Sequence, residues 1–305
     1  MTNGALAYAT SPIKTETFPH FERVLFTTDF SETSLRAFPA AAAVARRFGS
    51  ELRLVYALMP GDQICPLPEF STGVTTIVES DARARLSALK NSAQLKGLNV
   101  STAVYQNGLG SLSLEIAEDD VDLIVMATHG RKGLRHLVLG SVAEDVIHSA
   151  ARPVLTIGPN ATLTNASEFR PKHILFATDA SADCFRALPY AVEFAKWQGA
   201  GLTLVHVLAN KKENNPEADA FAALMKDALH RTLPLRAIKS CNPEIIVRFG
   251  NPMKEILDVA AERESELIVV GARSNKNKAA FNRSISYGVI SQAACPVLTV
   301  RGREA

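Results

Sequence analysis

The sequence predicts an α/β fold built twice, as two tandem domains that each carry a five-stranded parallel sheet with helices on both faces. Three observations carry this expectation. Short apolar, β-branched runs alternate with helical patterns along the chain. The runs are apolar throughout rather than alternating, as in strands covered on both sides. The whole pattern then starts again about halfway along.

Arg23–Thr28 is the first strand, and Asp29-Phe30-Ser31 follows at its carboxyl end, with Ser31 or Thr33 placed to cap the next element. The spacing predicts a helix over Leu35–Phe48, ended by Gly49, with Pro39 tolerated near its start. Glu51–Leu58 is a second strand. Met59–Thr72, with three prolines and a glycine, reads as a surface loop. A long amphipathic helix is expected over Val74–Lys96, a third strand over Asn99–Gln106 and a short helix over Leu112–Glu118. Val121–Ala127 is the fourth strand, Ser141–Ala150 a helix and Pro153–Ile157 the fifth strand.

The repeat is explicit. His173-Ile-Leu-Phe-Ala-Thr-Asp179-Ala-Ser181 matches Arg23-Val-Leu-Phe-Thr-Thr-Asp29-Phe-Ser31 at an offset of 150 residues, and Arg186-Ala-Leu-Pro189 matches Arg36-Ala-Phe-Pro39 at the same offset. Leu267–Gly271 answers Leu123–Ala127, and Ala294–Val300 answers Ala151–Ile157. The expected organisation is a disordered leader over 1–20, a first domain over 21–159, a linker over 160–169 and a second domain over 170–303.

Composition narrows the function. At 305 residues the chain can bury two cores, and 47% hydrophobic with 21% charged residues is a globular balance. A net charge of +2 gives no bulk attraction for nucleic acid or an anionic membrane, so neither is expected as a partner. No apolar run reaches the roughly 20 residues of a membrane span. Residues 1–20 have no apolar stretch of the signal-peptide kind. The four cysteines, Cys65, Cys184, Cys241 and Cys295, form no CxxC pair and read as reduced thiols of a cytoplasmic protein.

Chemistry is expected beyond the carboxyl ends of the strands, where strand order reverses in open parallel sheets. Asp29, the strand-two end at Tyr56-Ala57-Leu58 and the loop after strand four all reach that edge. The loop runs Ala127-Thr-His-Gly130-Arg131-Lys-Gly133 to Gly140-Ser141-Val142. Its glycines permit close backbone approach, and Gly140-Ser141 stands at a helix start, where N–H groups and the helix dipole favour an anion. Arg131, Lys132, Arg135 and His136 add positive charge. Two readings of Ser141 stand side by side. It donates to a phosphate, or Ser141-Val-Ala-Glu144 is a capping box that needs no ligand. Asp29 likewise is a turn residue, or it faces a ribose or a metal.

These motifs resemble the universal stress protein family over Phe21–Pro159 and Arg170–Arg301, so the chain reads as a tandem pair of Rossmann-like (adenine nucleotide alpha hydrolase-like) domains. Nucleotide-binding members carry G-x2-G-x9-G-[S/T] after strand four. Here Ala127 takes the first glycine position, Gly130 the second, and nine residues lead to Gly140-Ser141. The resemblance implies an ATP site, with Mg²⁺ favoured, in which Gly130, Arg131, Gly140, Ser141 and Val142 hold the phosphates. It places Asp29 near the nucleoside and Ala57 beside the adenine.

The second copy keeps Gly271 but has Ser274 for the second glycine and Ser284-Ile285 for Gly-Ser, which implies a structural partner rather than a second site. In the family, fifth strands commonly pair across a dimer. Val154–Ile157 and Val297–Val300 would form that pair within one chain, an intramolecular pseudo-dimer, with a homodimer as a further arrangement. The function implied is non-enzymatic, ATP-binding stress response. The alternatives are a weak ATPase or autophosphorylating enzyme and a ligand-free interaction protein. Related nucleotide-hydrolysing enzymes carry a glycine-rich loop after strand one, and Thr27–Thr33 contains no glycine.

Overall fold

A computed structural model describes residues 19–58, 71–105, 121–128, 139–163, 169–209, 216–272 and 284–301. The expected leader and the expected helix over Leu112–Glu118 lie outside these residues, apart from Pro19 and His20.

The first half contributes β1 (Arg23–Thr27), β2 (Glu51–Ala57), β3 (Val100–Tyr105), β4 (Leu123–Ala127) and β5 (Val154–Ile157). The second contributes β6 (His173–Thr178), β7 (Gly201–Leu208), β8 (Glu244–Phe249), β9 (Leu267–Ala272) and β10 (Val297–Arg301). All ten lie in one sheet in the order β3-β2-β1-β4-β5-β10-β9-β6-β7-β8. Each half is parallel throughout. The halves meet at β5 and β10, which pair antiparallel with Leu155 opposite Leu298 and Thr156 opposite Val297.

The apolar runs explain the double cover. Val24 and Phe26 enter one core while Leu25, between them, enters the other. Both cores draw residues from both halves. Helices α1 (Glu32–Leu35), α2 (Phe38–Phe48) and α3 (Ser71–Lys90) follow the first strands, and α4 (Ser141–Ser149) joins β4 to β5. The second half contributes α5 (Ala182–Phe185), α6 (Leu188–Gln198), α7 (Pro216–Thr232), α8 (Leu235–Cys241), α9 (Pro252–Glu262) and α10 (Ile285–Gln292), of which α5, α6, α7 and α10 are the counterparts of α1 to α4.

Two expected helices differ from the observed ones. The helix foreseen over Leu35–Phe48 starts only at Phe38, as α2, and Leu35 instead ends the separate α1, because Pro39 has no N–H for the carbonyl of Leu35 and sits in the first turn of α2. The foreseen Val74–Lys96 helix starts at Ser71 and ends at Lys90, and a separate 3₁₀ turn covers Ala93–Leu95. Gly49 and its repeat Gly199 both close their helices in the left-handed region, at φ 69° and 64°.

Side chains also lock the halves together. Phe21 and Phe48 meet Tyr190, Phe194 and Trp197 of α6, with ring centroids 6.1–6.2 Å apart. Such pairs each add about 0.5–1.5 kcal/mol beyond burial. The segment after β5 is tied down as well. Arg36 donates to the carbonyls of Pro159 and Ala161, and the Thr162 N–H donates to Ala294 O at 2.9 Å.

Candidate nucleotide site

The strand order reverses between β1 and β4, and the carboxyl ends of β1, β2 and β4 share one edge of the sheet. Asp29, Ala57 and Ala127 therefore stand on that edge, as do the residues that follow them. The chain returns to it at α4, because the Gly140 N–H donates to the carbonyl of Thr128 at 2.7 Å. That bond brings Gly140, Ser141 and Val142 back to the end of β4. Gly130 and Arg131, with Lys132, Gly133, Arg135 and His136, lie outside the described residues.

The N-terminus of α4 departs from the capping-box expectation. The N-cap residue is Gly140, at φ −62° and ψ 147°, and among the described residues no side chain caps the helix. Ser141 is the first helical residue, so its hydroxyl is one position too far along to cap. An N-cap serine would have accepted a first-turn N–H. A glycine offers those groups no such acceptor, at the positive end of the helix dipole. The glycine is not demanded by the backbone, since any residue adopts these angles. What it supplies is the absence of a side chain.

The second half shows the other arrangement. Ser284 takes the place of Gly140 as N-cap, at φ −76° and ψ 155°, and its hydroxyl accepts the Tyr287 N–H at 3.1 Å. Ile285, 45% exposed, stands where Ser141 stands in the first half. Gly271 survives in this copy for a packing reason. A Cβ there would lie 2.6 Å from Cys184 Cα, so the glycine admits the close approach of α5.

Asp29 forms a turn. Its Oδ1 accepts the Ser31 N–H at 2.9 Å and the Ser31 hydroxyl at 2.6 Å, while Ser31 caps α1 and Phe30 takes φ 59°. Asp179, Ala180 and Ser181 repeat this, with Ala180 at φ 61°. The same turn in both halves marks it as a feature of the frame. Ala57 ends β2 opposite Tyr105, and the neighbouring Tyr56 is stacked on Phe30 at 5.3 Å. Ala127, buried, ends β4 opposite Ile157.

Sequence reading passed over two participants. Thr128 anchors Gly140 through its carbonyl, which no side-chain pattern announces. Tyr287, from the second half, accepts the Leu139 N–H at 3.3 Å. Its only sequence signal is a tyrosine where the aligned first copy has Ala143.

Among the described residues no group of three His, Cys, Asp or Glu side chains could hold a metal ion. No described helix is long and apolar enough to cross a membrane. The described cysteines Cys184, Cys241 and Cys295 are free thiols, and burial pushes the Cys295 thiol up to about 12.

Residues 20–158 and 171–301 each match the universal stress protein family. The chain belongs to that family. A universal stress protein of Methanocaldococcus jannaschii is 30% identical over 139 residues, spanning 45% of this chain and 82% of that protein. A universal stress protein of Synechocystis sp. is 21% identical over 302 residues, spanning 92% of this chain and 100% of its own length. The crystal structure of a universal stress protein from Archaeoglobus fulgidus superposes with a TM-score of 0.68 at 20% identity, covering 92% of this chain and 96% of that one. As a universal stress protein, the chain carries the family's domain twice, on the mostly parallel α/β sheet described above.

Proposed function

We propose that this universal stress protein binds one ATP, in the first half, and acts as a non-enzymatic regulator whose second half serves as an intramolecular pseudo-dimer partner. The observation that carries the reading is the contrast between the two helix starts. At α4 the N-cap is a glycine without a side chain, and at α10 a serine hydroxyl occupies the equivalent position. Bare first-turn N–H groups and a helix dipole suit a phosphate chain.

The residues present fit the group. Gly140 leaves room for phosphate oxygens, and Ser141 and Val142 offer N–H groups, with the Ser141 hydroxyl exposed beside them. Gly130 and Arg131 belong to the same phosphate cradle in this reading, and Ala127 lies at its floor. Asp29 and Ala57 flank the nucleoside. Mg²⁺ would arrive on the nucleotide's own phosphates, which is how that ion is commonly held. The seam between β5 and β10 is the pseudo-dimer contact, and the proposed setting is the cytoplasm.

Purified full-length protein titrated with Mg·ATP by calorimetry tests the reading. One equivalent bound is expected, and mass spectrometry of the protein as isolated should recover adenine nucleotide. Absence of binding would remove the proposal, and two equivalents would refute the silent second half.

A further inference from the structure

We propose that Tyr287 of the second half is a positioning residue for the phosphate-binding turn of the first, so that the second half sets nucleotide affinity as well as covering an edge. The proposal rests on the ATP reading above.

The turn into α4 begins at Leu139, which is 3% exposed. A backbone N–H at so buried a site needs a partner, because an unsatisfied one carries its full desolvation cost. The Leu139 N–H donates to the Tyr287 hydroxyl across 148 residues of sequence, at 3.3 Å. The next N–H, of Gly140, goes to Thr128 O at 2.7 Å. Two consecutive amides are thus held from two directions, one by the half's own strand and one by the other half. The following amides, of Ser141 and Val142, are those offered to phosphate. Leu139 lies two residues before Ser141, so the Tyr287 bond, together with the Gly140 bond to Thr128, fixes where the chain enters the turn that presents those amides.

Tyr287 is itself fixed. Its N–H donates to the Ser284 hydroxyl at 3.1 Å, and its carbonyl accepts the Ser291 hydroxyl at 2.9 Å. Its ring packs against the core that includes Leu139 and Ala143. The serine that replaces glycine in the second copy therefore has a positive role. It closes the helix start and holds the residue that reaches across the seam.

The test compares full-length wild type with Tyr287→Phe, which removes only the hydroxyl. Calorimetry with Mg·ATP and with adenosine is paired with amide hydrogen exchange of the ligand-free proteins. Loss of one such hydrogen bond predicts ATP affinity weaker by roughly 3- to 10-fold. Adenosine affinity should be unchanged, and exchange at Leu139 faster. Equal ATP affinity in both proteins would overturn the proposal. So would ATP and adenosine weakened alike, which marks a general structural effect. If wild type binds no ATP while exchange at Leu139 still responds to the substitution, the ATP reading falls and the affinity role falls with it, although the hydrogen bond is real. Unchanged exchange alongside tight wild-type ATP binding would sink the positioning role alone.

Discussion

The first half opens α4 with Gly140, and the second opens α10 with Ser284. The backbone angles at the two positions differ by 14° in φ (−62° against −76°) and 8° in ψ (147° against 155°). The frame around them is shared as well. Strand order, the Asp-X-Ser turns at Asp29 and Asp179 and the glycine caps at Gly49 and Gly199 recur. One fold thus supports two helix starts that differ in a single side chain. A hydroxyl at the N-cap satisfies the helix internally, and its absence leaves the helix to be satisfied by something else. The comparison teaches that a glycine in such a motif is not always there to turn the chain.

The strongest way to break the contrast is Gly140→Val. The backbone angles accept valine, so the fold should survive, while a branched side chain fills the space left for phosphate. ATP affinity should fall by roughly two orders of magnitude, as direct steric exclusion removes several hydrogen bonds at once. Calorimetry together with an unchanged circular dichroism spectrum would check this. Retained affinity would show that phosphate does not approach Gly140.

Gly140→Ser grafts the second half's cap onto the first. A weaker loss is expected, roughly tenfold, since the new hydroxyl competes with phosphate for a first-turn N–H. Thermal stability should stay level or rise slightly, because serine exceeds glycine as an N-cap by only about a few tenths of a kcal/mol. Tighter ATP binding would reverse the argument.

The Asp turns supply a control within one molecule. Asp29→Ala and Asp179→Ala each remove the acceptor of two hydrogen bonds in the same local geometry. Each should lower stability by about 1–2 kcal/mol in chemical denaturation. Any loss of ATP affinity seen with Asp29→Ala and absent with Asp179→Ala measures a nucleoside contact. Identical behaviour would leave Asp29 as a turn residue only.

The smallest effect concerns the thiols. Burial raises the thiol pKa of Cys184, Cys241 and Cys295, the last to about 12. A thiol with a raised pKa holds little nucleophilic thiolate at neutral pH. Site-resolved mass spectrometry after mild alkylation should find Cys184 and Cys295 unmodified in both ATP-bound and ATP-free protein. Rapid labelling of either would show that the sheet opens.

Much of this was legible beforehand, for local reasons. The strands are continuous apolar runs, and the duplication places each one twice. Helix ends marked by glycine were plain at Gly49. The division of α1 from α2 was harder to place, because Pro39 is compatible either with a kink or with a fresh first turn, and only the bonding of its neighbours decides. Ser141 was ambiguous for a similar reason. A capping box and a phosphate ligand use the same residue types, and the difference is whether position 140 or position 141 is the N-cap. Asp29 keeps two readings, because a carboxylate that accepts from Ser31 can also face a nucleoside, and the comparison with Asp179→Ala separates them.

By itself, the sequence determined that the chain is a doubled α/β protein of this family, with Gly130 and Gly140 of the motif in one copy replaced by Ser274 and Ser284 in the other. Those are properties of residue type and spacing, and they survive without knowing where anything points. The tertiary structure alone decided the antiparallel register of the β5–β10 pairing, which the family resemblance implies without its register, and the meeting of Tyr287 with the Leu139 amide. Both are contacts between residues more than 130 positions apart. No local periodicity encodes such a contact, because it depends on how two separately formed surfaces come to rest against each other.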